Sequence, residues 1–156
     1  MAIDIGQAAP DFTLFSSEKK QVTLSELKGQ NILLLFFPLA FTKTCTEELC
    51  HIRDNISDYN NSDAKVFGIS VDALHTLAKY KEDQQLNFTL LSDFNKDVSR
   101  LYDSIYEMFG YNMKGVSKRS AFVIDKEGVV RYAEVLENAG EIPNFGAIES
   151  ILKGLN

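Results

Sequence analysis

The sequence has little cysteine and histidine, which limits the chemistry it can carry. Its 156 residues include two Cys, two His and no Trp. Two cysteines are too few for a disulfide scaffold, and a structural zinc site would need both histidines as well. His51 directly follows Cys50, and this spacing fits no familiar set of zinc ligands. We therefore expect neither a metal nor another cofactor.

The chain also lacks an excess of positive charge and a long hydrophobic run. Sixteen Lys and Arg against 22 Asp and Glu give a net charge of −6, which disfavours nucleic acid as a partner. The longest apolar stretch, residues 32–41, is far shorter than the ~20 residues of a membrane span. Residues 1–6 have neither the basic start nor the apolar run of a secretory signal. We therefore expect a cytoplasmic protein with no membrane segment.

Length and apolar patterning predict the fold class. A chain of this length predicts a single domain, residues 1–156, with one compact core. We predict strands at 11–15, 21–24, 31–37, 64–71, 87–91, 120–124 and 129–135. We predict helices at 45–60, 73–84, 96–104 and 143–155. This order is typical of an α/β fold in which helices flank a mixed central sheet and an N-terminal β-hairpin opens the chain.

Cys45 stands at the predicted start of the first long helix. The segment from Thr44 to Glu47 matches a capping box, which places Cys45 in the first helical turn. A thiolate there faces free backbone N–H groups and the positive end of the helix dipole, so it can act as a nucleophile. Cys45 also lies on the apolar stripe of this helix. The residues alone therefore leave open whether it is a nucleophile or a buried core residue.

The residues around Cys45 carry a family resemblance. The segment 38–45 resembles the Pro-x-x-x-Thr-x-x-Cys signature of the peroxiredoxins, with Pro38, Thr42 and Cys45 at the fixed positions. The placement of this segment, after a buried strand and at a helix start, is also similar to that family. Residues 6–14 and 118–128 resemble further family segments, so the resemblance spans nearly the whole chain.

The resemblance implies a thioredoxin-like fold and a thiol peroxidase that reduces hydrogen peroxide and organic hydroperoxides to water or alcohols. Cys45 would be the peroxidatic cysteine and would become a sulfenic acid. Pro38 would shield the thiolate from water, and the Thr42 hydroxyl would bind the peroxide. Arg119 would hold the thiolate side of the transition state, with Glu48 orienting it. The residues alone leave open that Arg119 forms only a surface ion pair.

Cys50 resembles the resolving cysteine of the subgroup typified by bacterioferritin comigratory protein, which forms an intramolecular disulfide. The Thr-Lys-Thr before Cys45 lacks the Pro-Gly usual in that subgroup, and the short chain also resembles one-cysteine members. In an intact helix, residues five apart are about 7.5 Å apart along the axis and about 140° apart around it, too far for a disulfide. Resolution by Cys50 therefore requires the helix start to unwind. The alternative is an external thiol, with Cys50 as a bystander.

The resemblance also implies partners. Thioredoxin or a similar dithiol protein would restore Cys45, and a homodimer is expected, with the apolar loop near Met108 and Phe109 as its contact. One alternative is a thiol–disulfide exchange protein, which the missing Cys-x-x-Cys pair disfavours. Another is a redox sensor or oxidation-activated holdase that binds a partner through residues 108–113. We expect the histidines and the helix segment 79–83 to be solvated.

Overall fold

The computed structural model describes residues 2–155. In chain order its strands are β1 (Thr13–Ser16), β2 (Gln21–Thr23), β3 (Asn31–Phe36), β4 (Ala64–Ser70), β5 (Thr89–Ser92), β6 (Ile105–Tyr106), β7 (Val116–Ser117), β8 (Ser120–Ile124) and β9 (Val130–Val135). Its helices are α1 (Lys43–Asp54), α2 (Ile56–Asn61), α3 (Leu74–Gln84), α4 (Asp97–Leu101) and α5 (Phe145–Gly154). Within this range no helix combines the length and the apolar character needed to cross a bilayer.

Seven strands form one mixed sheet in the order β2-β1-β5-β4-β3-β8-β9. β3, β4 and β5 are parallel, as expected of strands joined by helical crossovers. β8 is antiparallel to β3, β9 to β8, and β1 to both β5 and β2. The predicted α/β class, the mixed sheet and the N-terminal hairpin are confirmed.

The central strand β3 divides the core into two parts because its side chains alternate between the faces of the sheet. All six of its residues are buried, as the unbroken apolar run predicts for a strand covered on both faces. Leu33 and Leu35 pack on the face that carries Cys45 and α5. Leu34 and Phe36 pack on the opposite face with Tyr102. The segment that follows the carboxyl end of β3 therefore leads to Cys45 on this first face of the sheet.

Three local predictions were wrong in detail. The helix predicted from Cys45 to about Asn60 is two helices, because the chain breaks at Asn55, whose backbone is not helical. No strand was predicted between residues 92 and 119, but β6 and β7 lie there and pair in a small separate ladder. The predicted capping box does not form, since α1 begins at Lys43 and its N-cap position is Thr42, with no side-chain cap hydrogen bond.

The predicted solvated face at 79–83 was also wrong for one residue. Lys79, Glu82 and Asp83 are exposed, but Tyr80 is fully buried against the core. Leu77 and Tyr80 are three residues apart and form the buried stripe of α3. Helical periodicity applied to this segment would have found Tyr80.

Candidate active site

The segment that joins β3 to α1 forms a bend that precedes the candidate nucleophile, Cys45. Pro38 is buried and follows the last residues of the strand. Phe41 has a φ of +66°, which is uncommon and strained for a bulky side chain. The backbone N–H of Ala40 donates to Oδ2 of Asp72 at 2.8 Å, and this contact fixes the bend to the end of β4. The Thr42 hydroxyl donates to the carbonyl oxygen of Leu39 at 2.7 Å.

Cys45 is the third residue of α1, so it lies in the first helical turn as predicted. Its side chain is only 1% exposed and packs with the core residues Leu49 and Ile52. Nη2 of Arg119 donates to its sulfur at 3.3 Å. The sulfur is therefore both on the apolar face of the helix and in contact with a charged group, which the two readings of the sequence treated as alternatives.

Arg119 lies directly before β8 and is only 2% exposed. Its Nη1 donates to Oε1 of Glu48 at 2.7 Å, and its Nε donates to the carbonyl oxygen of Ala139 at 2.9 Å. With the contact to Cys45, the guanidinium has a different acceptor at each of its three nitrogens. Because the guanidinium is planar and its N–H donors are fixed relative to one another, these three contacts hold its plane in one orientation beside the Cys45 sulfur.

The electrostatics of this group follow from its burial. Burial raises the pKa of Glu48 to about 7, against the lowering effect of Arg119. Burial by itself lowers the pKa of Arg119, but the adjacent Glu48 and Cys45 outweigh it and leave that pKa raised. Within residues 2–155, Oε2 of Glu48 has no hydrogen-bond partner. Arg119 therefore remains a cation, and burial makes the carboxyl group opposite it easier to protonate than a solvated one.

Cys50 does not join this cluster. It lies on α1 but is half-buried on another side of the helix, where its thiol donates to Oε1 of Gln84 at 3.6 Å. Both cysteines are free thiols in this structure. The two sulfurs are therefore separated while α1 is intact, as the helical spacing predicts.

The structure brings Cys45, Glu48 and Arg119 into direct contact, with Pro38 and Thr42 on the segment just before them. Arg119 is no surface ion pair, because it is buried and contacts Glu48 and Cys45. Sequence reasoning missed Ala139, whose role is a backbone carbonyl in the loop after β9. No side-chain pattern signals such an acceptor.

The comparisons with known proteins agree with this geometry. A family model described as "AhpC/TSA family" matches residues 5–133. A putative peroxiredoxin bcp of Coxiella burnetii is 39% identical over 132 residues, which is 83% of this chain and 87% of that protein. Peroxiredoxin Bcp of Bacillus subtilis is 38% identical over 130 residues, 82% of each protein. The crystal structure of peroxidoxin BcpB from Mycobacterium tuberculosis has a TM-score of 0.86 and 28% identity, and the match covers 99% of both chains.

The chain belongs to the AhpC/TSA family and is a peroxiredoxin of the Bcp-like kind. The predicted thioredoxin-like fold is confirmed by this neighbour. Peroxiredoxins are cysteine-based peroxidases, so the enzyme class expected from the sequence is confirmed, and its substrates are hydroperoxides. The reaction also needs a thiol reductant to return the oxidised cysteine to its thiol form.

Proposed function

We propose that Cys45 is the peroxidatic cysteine and that Arg119, Glu48, Thr42 and Pro38 assist its reaction. The observation that carries the proposal is the buried contact between the Arg119 guanidinium and the Cys45 sulfur at 3.3 Å. A hydrogen bond from a fixed cation favours a thiolate over a thiol. The first turn of α1 adds free backbone N–H groups beside the same sulfur.

In the first step the Cys45 thiolate attacks the terminal oxygen of the hydroperoxide. A sulfur–oxygen bond forms, the O–O bond breaks, and the alcohol or water leaves after taking up a proton. Cys45 is oxidised to a sulfenic acid while the peroxide is reduced. Arg119 stabilises the negative charge that moves from the sulfur onto the leaving oxygen, because its position is set in advance by Glu48 and Ala139.

Thr42 and Pro38 have separate roles in this proposal. The Thr42 hydroxyl already donates its proton to Leu39, so its oxygen is left to accept the hydrogen bond of a peroxide O–H. Pro38 is buried on the segment between β3 and α1 and has no backbone N–H. It therefore shields the sulfur from water without offering a competing donor.

We further propose that Cys50 resolves the sulfenic acid as an intramolecular disulfide, after the first turns of α1 unwind. Thioredoxin or a similar dithiol protein then reduces that disulfide, and this cycle suits the cytoplasm, where thiols are kept reduced. A homodimer is proposed from the loop at 108–113, where Met108, Tyr111 and Met113 are exposed. Sedimentation of the reduced protein at micromolar concentration tests the dimer.

The test of the mechanism is intact mass with thiol counting after one equivalent of hydrogen peroxide without reductant. We expect the wild type to lose two hydrogens, Cys50→Ser to accumulate a sulfenic acid, and Cys45→Ser not to react. Gain of one oxygen by the wild type would keep Cys45 as the nucleophile and exclude Cys50 as the resolving thiol. An unreacted wild type would contradict the whole proposal.

A further inference from the structure

Two hydrogen bonds between side chains join the helix that carries both cysteines to α3. Thr46 Oγ1 lies 2.8 Å from the hydroxyl oxygen of Tyr80, and the Cys50 thiol donates to Oε1 of Gln84 at 3.6 Å. Thr46 and Cys50 are four residues apart on α1, and Tyr80 and Gln84 are four apart on α3. Residues at this spacing share a helix face, so the two contacts follow one another along a single seam. We call this pair of contacts the α1–α3 clamp.

The Tyr80 side of the clamp favours a helical α1. Tyr80 is fully buried, and Thr46 is the hydrogen-bond partner of its hydroxyl. A buried hydroxyl that loses its partner destabilises the state in which this happens. The ring of Phe41 also lies 4.9 Å from the ring of Tyr80. Tyr80 therefore contacts both the first turn of α1 and the bend that precedes it.

The clamp opposes the conformation that a Cys45–Cys50 disulfide needs. In an intact helix these residues are about 7.5 Å apart along the axis and point about 140° apart, whereas a disulfide needs Cα atoms closer than about 7 Å and Cβ atoms that face each other. The start of α1 must unwind to bring them together. Unwinding separates Cys50 from Gln84 and Thr46 from Tyr80.

The far end of α1 has its own attachment to the same region. Nη1 of Arg53 donates to the main-chain carbonyl of Gln84 at 2.6 Å, and the side chain of Asn87 donates to the carbonyl of Arg53 at 3.1 Å. Neither contact uses the side chain of Gln84. Replacing that side chain therefore removes the contact to Cys50 and leaves the end of α1 anchored.

We propose that Gln84 is a positioning residue that slows the resolution step by holding Cys50 in its helical place. This inference rests on the proposed role of Cys50 as the resolving cysteine. In that step the Cys50 sulfur bonds to the Cys45 sulfur, and the sulfur–oxygen bond of the sulfenic acid breaks. The hydroxyl group leaves as water with the proton of the Cys50 thiol. The hydrogen bond to Gln84 opposes this step because it holds the Cys50 sulfur away from Cys45.

A slow resolution step has a chemical consequence at Cys45. The sulfenic acid can react with a second hydroperoxide and become a sulfinic acid, in competition with disulfide formation. The strength of the α1–α3 clamp therefore sets how much peroxide the enzyme tolerates before it is inactivated. Gln84→Ala should form less sulfinic acid than the wild type at the same excess of peroxide.

The experiment compares four proteins by quenched-flow mass spectrometry after one equivalent of hydrogen peroxide. They are the wild type, Gln84→Ala, Gln84→Glu and the control Glu82→Gln, which alters an exposed residue of the same helix. The rate of disulfide formation is divided by the rate of sulfenic acid formation in the same protein. We expect this ratio to rise about threefold to tenfold in Gln84→Ala, as the loss of one hydrogen bond predicts. Gln84→Glu keeps an acceptor and should show no rise, and Glu82→Gln should match the wild type.

Tyr80→Phe provides a second variant. It removes the buried hydroxyl that loses its partner on unwinding, so it should also raise the ratio. An unchanged ratio in Gln84→Ala and Tyr80→Phe, with the disulfide still forming, would overturn the inference and leave the proposed function intact. A wild type that forms no disulfide at all would overturn both.

Discussion

Arg119 connects three parts of the chain that are distant in sequence. It lies 74 residues from Cys45 and 71 from Glu48, and its third acceptor is the carbonyl of Ala139 in the loop after β9. The ammonium group of a lysine cannot donate hydrogen bonds to three acceptors in one plane. The shape of the guanidinium, in addition to its charge, is therefore what the site uses.

This argument predicts the effect of Arg119→Lys. We expect the rate constant of Cys45 with hydrogen peroxide to fall by about 10²-fold, since one lost donor to a developing charge has an effect of this size. Stopped-flow measurement of peroxide consumption tests it. Arg131→Lys is the matched control, because Arg131 is exposed and also pairs with a carboxylate, that of Asp125. A rate for Arg119→Lys within threefold of the wild type would refute the positioning role of the guanidinium.

Glu48 predicts a pH dependence of stability. Its pKa rises from 4.5 to about 7 in the folded protein because of burial. A raised carboxyl pKa means that the folded state binds the proton more tightly than the unfolded state does. Protonation of Glu48 therefore stabilises the folded state fully below pH 4.5, and this stabilisation is lost as the pH rises through about 7. The variant Glu48→Gln keeps an acceptor for Arg119 but does not titrate. Relative to this variant, the unfolding free energy of the wild type should increase by about 2 kcal/mol when the pH is lowered from about 7 to about 5.

Urea unfolding of both proteins across this pH range measures the difference. Placing both in a Cys45→Ser background keeps oxidation of the neighbouring thiol out of the comparison. The prediction fails where the difference in unfolding free energy between the two proteins stays constant with pH or grows in the opposite direction.

At the scale of single elements, the helices α1 and α5 begin differently. At α5, the side chain of Asn144 accepts a hydrogen bond from the backbone N–H of Ala147 at 3.0 Å. At α1, the N-cap residue Thr42 directs its hydroxyl to Leu39 instead. Within residues 2–155 the hydroxyl of Thr44 has no hydrogen-bond partner. The start of α1 is therefore less well capped than the start of α5, which suits a helix proposed to unwind during the reaction.

This difference gives a prediction about caps. Asn144→Ala should lower the unfolding free energy by about 1 kcal/mol, the usual cost of a lost N-cap. Thr44→Ala should lower it by less than about 0.5 kcal/mol, because no cap hydrogen bond is lost. Thermal or urea unfolding of the two variants measures both values. Equal losses would show that Thr44 caps α1 in solution, as the sequence pattern predicted.

At the scale of the whole molecule, β3 couples the two halves of the core. Leu34 and Leu35 are adjacent in sequence and both fully buried, but they lie on opposite faces of the sheet. A loss of packing on either face is transmitted to the other through the same strand. One cooperative unfolding transition is the expected result.

Leu34→Ala and Leu35→Ala test this coupling. Each should lower the unfolding free energy by about 3 kcal/mol, as typical for truncation of a buried leucine, while the urea curve remains a single transition. Val22→Ala, on the half-buried edge strand β2, should cost about 1 kcal/mol. Far-UV circular dichroism and tyrosine fluorescence should give coincident curves for every variant. Two separate transitions in either leucine variant would contradict the prediction of one domain.

Local sequence patterns predicted a helix or strand correctly where the pattern is compatible with only one kind of secondary structure. The unbroken apolar run 31–37 predicted a strand covered on both faces, and the strands at 11–15 and 21–24 predicted the N-terminal hairpin. The break at Asn55 was missed because the apolar stripe continues across it. The start of α1 was misplaced by two residues, because the Thr42 side chain bonds to Leu39 and the capping-box pattern at Thr44 has no matching geometry.

The sequence by itself determined the fold class, the position of Cys45 in a first helical turn and, through the family signature, the identity of Arg119 and Glu48 as its partners. These features depend on local periodicity or on residues held together in one motif. Only the tertiary structure decided the contact of Arg119 with Ala139, the contact of Tyr80 with Thr46 and the pairing of Cys50 with Gln84. Those contacts join segments tens of residues apart, so they arise from how the helices and loops pack on the sheet, and no local pattern of side chains encodes them.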